Sequence, residues 1–164
     1  MLESRLMGCG RRALVVVGAV FGVALLSAGV ASAADQVQLK SRLGSDLCLD
    51  APFGINTAAI VGHCGDTAWP HLLWVFNSAG QIESVRFPRN CLSIRDAADN
   101  TPVILSPCQT NANNQRWTHQ TNGQVISALG PCLNIEGGVA SLTTPVIAYR
   151  CIPDVADEQW DSVS

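Results

Sequence analysis

Charge is scarce in this 164-residue chain: Asp, Glu, Lys and Arg together make up 14% of it, aromatic residues 5%, and tyrosine occurs once. No basic cluster is present, so neither nucleic acid nor anionic lipid is an expected partner. C-x-x-C and paired-histidine spacings are absent, and His63, His71 and His119 are scattered. That excludes the usual zinc frameworks. No group of Asp, Glu and His at calcium-like spacing replaces them, so no metal and no other cofactor is expected. A G-x-S-x-G elbow, a phosphate loop and a zinc-helix motif are missing as well. Asp157 and Glu158 are sequence neighbours and cannot flank a glycosidic bond as a catalytic pair must. A binding protein is expected, not an enzyme.

One long apolar run does occur, "ALVVVGAVFGVALL" (Ala13–Leu26), behind a basic start with Arg5, Arg11 and Arg12. The small residues "ASA" (Ala31–Ala33) follow it, so residues 1–33 read as a secretory signal peptide with the mature chain starting at Ala34. An uncleaved anchor is the alternative, because the run is long enough to reach across a membrane. Gly18, Gly22, Gly29 and the A-x-A end favour cleavage, hence a secreted protein without stable membrane insertion. Arg11-Arg12 also leaves twin-arginine export open. Residues 34–164 are then one domain by length. With seven Lys/Arg against twelve Asp/Glu it carries a net charge of −5. Its many Gly, Pro, Asn and Ser residues and its short apolar runs point to an all-β chain rich in turns. No helix-period segment competes with that reading.

Six cysteines lie in the exported part, the seventh, Cys9, leaving with the leader. An even number in an oxidising compartment implies disulfides. The stretch "CQTNANNQRW" (Cys108–Trp117) returns as "CIPDVADEQW" (Cys151–Trp160) and, more loosely, as "CGDTAWPHLLW" (Cys64–Trp74). Internal repetition selects one pairing: Cys48–Cys64, Cys91–Cys108 and Cys132–Cys151. Each bond would close a loop of similar length and stabilise the fold by roughly 3 kcal/mol.

Each repeat can be written as four short strands. "DQVQLK", "GQIESV" or "GQVISA" opens the unit, and "CLDA", "CLSI" or "CLNI" follows. "AAIVGHC", "PVILSPC" or "PVIAYRC" is the third, and "LLWVF", "QRWTH" or "EQWDSV" the last. The units span about 34–79, 80–122 and 123–164. Trp160-Asp161 spells the dipeptide of a β-propeller blade, but propellers need at least about four blades. Three units favour a closed three-fold β barrel with a cap. Trp74, Trp117 and Trp160 share one repeat position, as do Leu49, Leu92 and Leu133, and all six are expected to be core anchors.

The triple frame of Cys-Leu, Cys and Trp, with "QRW" (Gln115–Trp117) as its clearest Q-x-W motif, resembles the ricin B-chain type β-trefoil lectins over the whole mature chain. The leader, "VQLKSRLGSDLCLDAP" and the terminal "QWDSVS" are more narrowly similar to small secreted ricin-type lectins of mycobacteria. The resemblance implies a β-trefoil and a carbohydrate-binding function, with galactose-type or related sugars as ligands. It places a planar polar group two residues after the first cysteine and an aromatic two residues before the second. Further polar groups fall three and two residues before the tryptophan. In the third repeat these are Asn134, Tyr149, Asp157 and Glu158, with Ile147 as an apolar wall. The Tyr149 ring is expected against the sugar, its hydroxyl free to donate. Asp and Asn have exchanged places relative to the family pattern, which alters the donor–acceptor order. Glu158 stands for the usual Gln and can accept from the Asn134 amide.

The first repeat keeps Asp50 but has Gly62 at the aromatic position and His71 and Leu72 for the polar pair. Trp69, in the loop "GDTAWPH", is placed to stack from a different direction, so Asp50 and Trp69 define a second, lesser site. In the second repeat Ser93 and Ser106 replace the key groups, and Asn114 and Gln115 are expected to brace the turn. The remaining alternative is a trefoil that has lost sugar binding and engages a host or cell-envelope protein. Intact mass and non-reducing peptide mapping test the covalent frame: the exported chain should begin at Ala34 and hold the three bonds with no free thiol. A crossed pairing such as Cys48–Cys108 would overturn the repeat assignment.

Overall fold

The computed structural model describes residues 35–65 and 69–164, so the leader and its cleavage point lie outside the described residues. Within these bounds the repeats appear as a succession of short strands. The first repeat contributes β1 (Gln36–Ser41), β2 (Leu47–Asp50), β3 (Ile60–His63) and β4 (Trp74–Phe76). The second contributes β5 (Ile82–Ser84), β6 (Asn90–Ser93), β7 (Thr101–Pro102), β8 (Ile104–Pro107) and β9 (Trp117–His119). The third contributes β10 (Val125–Ser127), β11 (Cys132–Ile135), β12 (Val146–Tyr149) and β13 (Trp160–Val163). No helix among the described residues is long and apolar enough to cross a membrane.

Closure comes from the last strand of each unit pairing with the first strand of the next. β4 pairs with β5 and β9 with β10, both antiparallel. β13 returns to β1, with Gln38 opposite Val163 and Ser41 opposite Trp160. Within each unit the second strand pairs with the third, as Leu49 with Val61, Leu92 with Leu105 and Leu133 with Ala148. This three-fold all-β closure is a β-trefoil, and it leaves the barrel without a free edge.

At the pseudo-three-fold axis the backbone forms a ring. The Ala59 N–H donates to the Val103 carbonyl (2.8 Å), Val103 to Val146 (3.0 Å) and Val146 back to Ala59 (2.9 Å). All three residues are fully buried. Three residues ahead of each stands a left-handed backbone position, Asn56, Asn100 and Thr143, with φ of 61°, 66° and 65°. Asparagine suits that region, where most side chains are strained. The third strand of repeat 2 is split at Val103: β7, before it, pairs with β12, and β8, after it, pairs with β6.

The tryptophans occupy equivalent places in the core. Trp74, Trp117 and Trp160 are at most 4% exposed and pack in one cluster with Leu49, Leu92 and Leu133. A buried indole N–H must find an acceptor. Each donates to the carbonyl of its own repeat's leucine: Trp74 to Leu49 (3.1 Å), Trp117 to Leu92 (3.0 Å) and Trp160 to Leu133 (2.9 Å). The disulfides Cys48–Cys64, Cys91–Cys108 and Cys132–Cys151 join the second strand of each unit to the end of its third.

One local expectation is corrected. The residues just before each tryptophan are not strand but a single 3-10 turn, at Pro70–Leu72, Asn113–Gln115 and Ala156–Glu158. The last residue of each turn is buried, and its side chain needs the inward direction that the turn provides. Truncation of Trp160 to alanine should cost roughly 3–5 kcal/mol as a core cavity. Trp160→Phe, which mainly strands the Leu133 carbonyl, should cost about 1–3 kcal/mol. Urea unfolding of both variants measures the two values, and a Trp160→Phe loss near zero would deny the indole bond its part.

Candidate functional site

In repeat 3 the strand pairing sets Asn134 on β11 opposite Ile147 on β12, and Cys132 opposite Tyr149. The 3-10 turn at Ala156–Glu158 packs beside β11 and brings Asp157 to Asn134, whose amide donates to the Asp157 carboxylate at 2.9 Å. Asn134, Ile147, Tyr149 and Asp157 together line one cavity of about 270 Å³. Ile152, Gly137 and Asn100 complete its walls. Asn134 and Ile147 are almost fully buried, at 4% and 3% exposure, so each shows the cavity only a small face. Gly137 has a φ of 65°, in the region where glycine is at ease.

Tyr149 is half-buried, and its hydroxyl already has a partner. The Arg150 guanidinium donates to it at 3.0 Å and lies over the ring, 5.2 Å from the centroid. The phenol thus accepts from Arg150 and keeps its own proton to donate. That bond is also the main reason the Arg150 guanidinium is held above its ordinary range.

Glu158 stands apart from the other predicted residues. It has no accessible surface and lies behind the cavity, so it is placed as a brace and not as a sugar contact. Its carboxylate accepts from the Ile152 N–H (2.8 Å), the Gln124 amide (3.1 Å) and the Asn134 amide (3.4 Å). No cation among the described residues joins them. Burial therefore pushes the Glu158 carboxyl above the usual range, against the hydrogen bonds that favour its charge, and neighbouring Asp157 adds to the rise.

Gln124 is part of a device that sequence reading missed. Buried glutamines at equivalent positions, Gln38, Gln81 and Gln124, each donate to the carbonyl just after the second cysteine. The acceptors are Gly65 (2.7 Å), Gln109 (2.9 Å) and Ile152 (3.0 Å). The signal was present, since a Gln stands in the first strand segment of every repeat. Nothing in the pattern marked it as buried. Asn100 had no such signal, because it belongs to repeat 2 and reaches the cavity only across the repeat boundary.

The other two repeats spend their polar groups internally. In repeat 2 the Asn114 amide donates to Ser93 Oγ (3.2 Å) and the Ile94 carbonyl (2.9 Å). Gln115 donates to Ser106 Oγ (2.8 Å) and the Pro107 carbonyl (2.9 Å) and accepts from the Gln109 N–H (2.7 Å). In repeat 1 Asp50 is bonded to His71 Nδ1 at 2.7 Å, and burial raises its carboxyl above the usual range despite that bond. A Cβ on Gly62 would sit 2.5 Å from Asp50 Oδ2, so that carboxylate occupies room a side chain at position 62 would need. Trp69, 48% exposed, stacks on the far side of the pair, its ring 6.1 Å from that of His71 and inclined by 18°. Asp50, His71 and Trp69 are therefore contiguous. Leu72 is fully buried where repeats 2 and 3 have Gln115 and Glu158.

The model of the ricin-type β-trefoil lectin domain matches residues 35–160, and the chain belongs to that family. Its family is one of carbohydrate-binding domains. Uncharacterized proteins of Mycobacterium tuberculosis and Mycobacterium bovis are 46% identical over 164 residues, covering 99% of this chain and 99% of each relative. Among solved structures, the agglutinin of Abrus precatorius superposes with a TM-score of 0.68 at 20% identity, over 79% of this chain and 48% of that one. The Vibrio vulnificus hemolysin/cytolysin β-trefoil lectin, with N-acetyl-D-lactosamine bound, gives 0.63 at 22% identity, over 80% and 96%. The earthworm R-type lectin C-half in complex with GalNAc gives 0.63 at 18%, over 79% and 98%. At these identities the solved structures establish the fold alone.

A carboxyl whose folded pKa is raised stabilises the fold fully below its unfolded value and loses that contribution as pH rises through the folded value. Glu158→Gln removes the titration while keeping the shape. The melting temperature of Glu158→Gln relative to the unsubstituted protein should therefore climb from about pH 4 to about pH 8. A difference that stays flat, measured by calorimetry, would show that Glu158 carries no burial penalty.

Proposed function

We propose that this protein is a secreted lectin that binds glycan without transforming it, and that the third repeat holds the sugar. The single observation that carries the reading is the convergence on one small cavity of an aromatic ring, an amide, a carboxylate and an aliphatic wall. A pyranose asks for just this combination. Its C–H face packs on an aromatic, and its hydroxyls need both donors and acceptors in fixed positions.

In this reading the Tyr149 ring takes the apolar face of the sugar. Asn134, bound through its NH₂ to Asp157, offers its carbonyl, and the free oxygen of Asp157 accepts from a second hydroxyl. Ile147 closes the floor. Glu158 contributes from behind by holding Asn134 and the Ile152 backbone. Galactose-type or related sugars are the proposed class. GalNAc and N-acetyl-D-lactosamine, carried by two of the structural neighbours, are the natural first probes. The first repeat has the lesser role: Trp69 offers an exposed ring, while Asp50 is committed to His71. Export rests on the leader, residues 1–33, followed by three disulfides that suit an oxidising compartment. No catalytic step is assigned.

A single shallow site of this kind binds weakly, with a dissociation constant on the order of 1 mM, so dense display is needed to see it. On a glycan array probed with residues 34–164, Tyr149→Ala should abolish binding with a stability loss under about 1 kcal/mol. Binding that survives Tyr149→Ala and is lost with Asp50→Ala would move the site to the first repeat. If the unsubstituted domain binds no glycan even on dense arrays, the trefoil engages a host or envelope protein instead.

A further inference from the structure

The third-repeat site has a wall that does not belong to the third repeat. β7 of repeat 2 pairs with β12, placing Thr101 opposite Ala148 and Pro102 opposite Ile147. The turn before β7 is tied tightly. Asp96 Oδ1 accepts from the Ala98 N–H (3.1 Å) and from Thr101 Oγ1 (2.7 Å), and these bonds with Arg95 hold the Asp96 carboxyl down to about 2. At the end of this turn Asp99 grips Arg150. Its Oδ1 accepts the Arg150 backbone N–H at 2.8 Å, and its Oδ2 lies 3.5 Å from the guanidinium Nε. Arg150 in turn covers Tyr149 and bonds its hydroxyl. Asn100, next along the chain and exposed, lines the cavity itself.

We infer that this loop of repeat 2, Asp96 to Thr101, is a specificity element of the third-repeat sugar site. Asn100 hydrogen-bonds the bound sugar directly, and Asp99 positions Tyr149 through Arg150. The inference rests on the sugar-binding reading above. Three observations carry it together: the strand pairing that fixes the loop on β12, the Asp99–Arg150–Tyr149 chain of contacts, and the place of Asn100 in the cavity wall. An amide supplies both a donor and an acceptor, which matches either a hydroxyl pair or an acetamido group on the sugar. Arg150 occupies one side of the Tyr149 ring and so leaves the other for the ligand. A guanidinium stacked on an aromatic and bonded at its edge restricts the ring without filling the cavity.

Asparagine at a φ of 66° has a backbone reason to be there, and the test separates the two roles. Asn100→Gly keeps the left-handed backbone at ease and deletes only the amide. Asn100→Asp keeps the shape and removes the donors. Both should lower affinity for the strongest array glycan about tenfold, the worth of one hydrogen bond, with melting temperature unchanged. In titrations of the unsubstituted domain with that glycan, the Asn100 side-chain amide should shift in nitrogen–proton correlation spectra. Asp99→Ala should also weaken binding and move the ring resonances of Tyr149, which are unambiguous because the chain has one tyrosine. Asp99→Asn, which keeps an acceptor for the Arg150 N–H, should restore part of the affinity.

Affinity of Asn100→Gly within about twofold of the parent, below what one hydrogen bond contributes, would overturn the inference. So would a loss that tracks a fall in melting temperature. If Tyr149→Ala still abolishes binding in that case, the site stands and only the loop's role falls. If the unsubstituted domain binds no glycan, both readings fall together.

Discussion

The hydrogen bond from the Trp160 indole to the Leu133 carbonyl is the constraint on which the site depends. A buried N–H without a partner is costly, so this bond has to form, and it locks two distant stretches of chain side by side. Leu133 is followed directly by Asn134, and Trp160 is preceded by Asp157, Glu158 and Gln159. One core contact therefore sets the site's amide against its carboxylate, and the 2.9 Å bond between Asn134 and Asp157 follows from it. The same contact occurs in all three repeats, with chain separations of 25, 25 and 27 residues. Each repeat is thus pre-arranged to bring the same pair of positions together, whatever residues occupy them.

What occupies them differs, and the differences are chemical alternatives on one frame. Repeat 2 satisfies its amides against its own backbone and serines. Repeat 1 closes the pair with Asp50 and His71 and fills the bracing position with Leu72. Repeat 3 leaves polar atoms facing a cavity and puts a carboxylate, Glu158, where repeat 2 has the neutral Gln115. The last choice works against stability, because burial opposes the charge. It also gives Asn134 an acceptor that turns its NH₂ inward. The cost in stability and the orientation of the site come from the same substitution, the kind of exchange expected where a fold serves a ligand.

Closure round the axis has a second consequence. Because the ring of Ala59, Val103 and Val146 bonds each repeat to the next, no repeat is a self-contained unit. The loop that precedes β7 is covalently part of repeat 2 and spatially part of repeat 3. Residues on it, Asp99 and Asn100, are therefore free to shape a neighbour's site while their own repeat's equivalent site is closed. Divergence in one repeat can in this way be recruited by the next.

The amino-acid pattern alone determined the frame. Six cysteines at matched intervals, three leucines and three tryptophans at one repeat position, and turn residues between short apolar runs favour a closed three-fold barrel. All of these are local or periodic signals. The grouping of the third-repeat residues Asn134, Ile147, Tyr149 and Asp157 in one cavity was legible too, through the resemblance to the ricin-type lectins, which counts their places from the cysteines and tryptophans. Tertiary structure alone decided the rest. Nothing in the sequence tells which of the neighbours Asp157 and Glu158 faces the cavity; the 3-10 turn at Ala156–Glu158 sets Asp157 at the cavity and buries Glu158 fully. Nor does sequence distance show that Asn100 shares a cavity with Tyr149, or that Asp99 bonds Arg150, 51 positions further along the chain. Pairing of β7 with β12 creates that proximity, and it arises from packing three repeats about one axis, which no single repeat encodes.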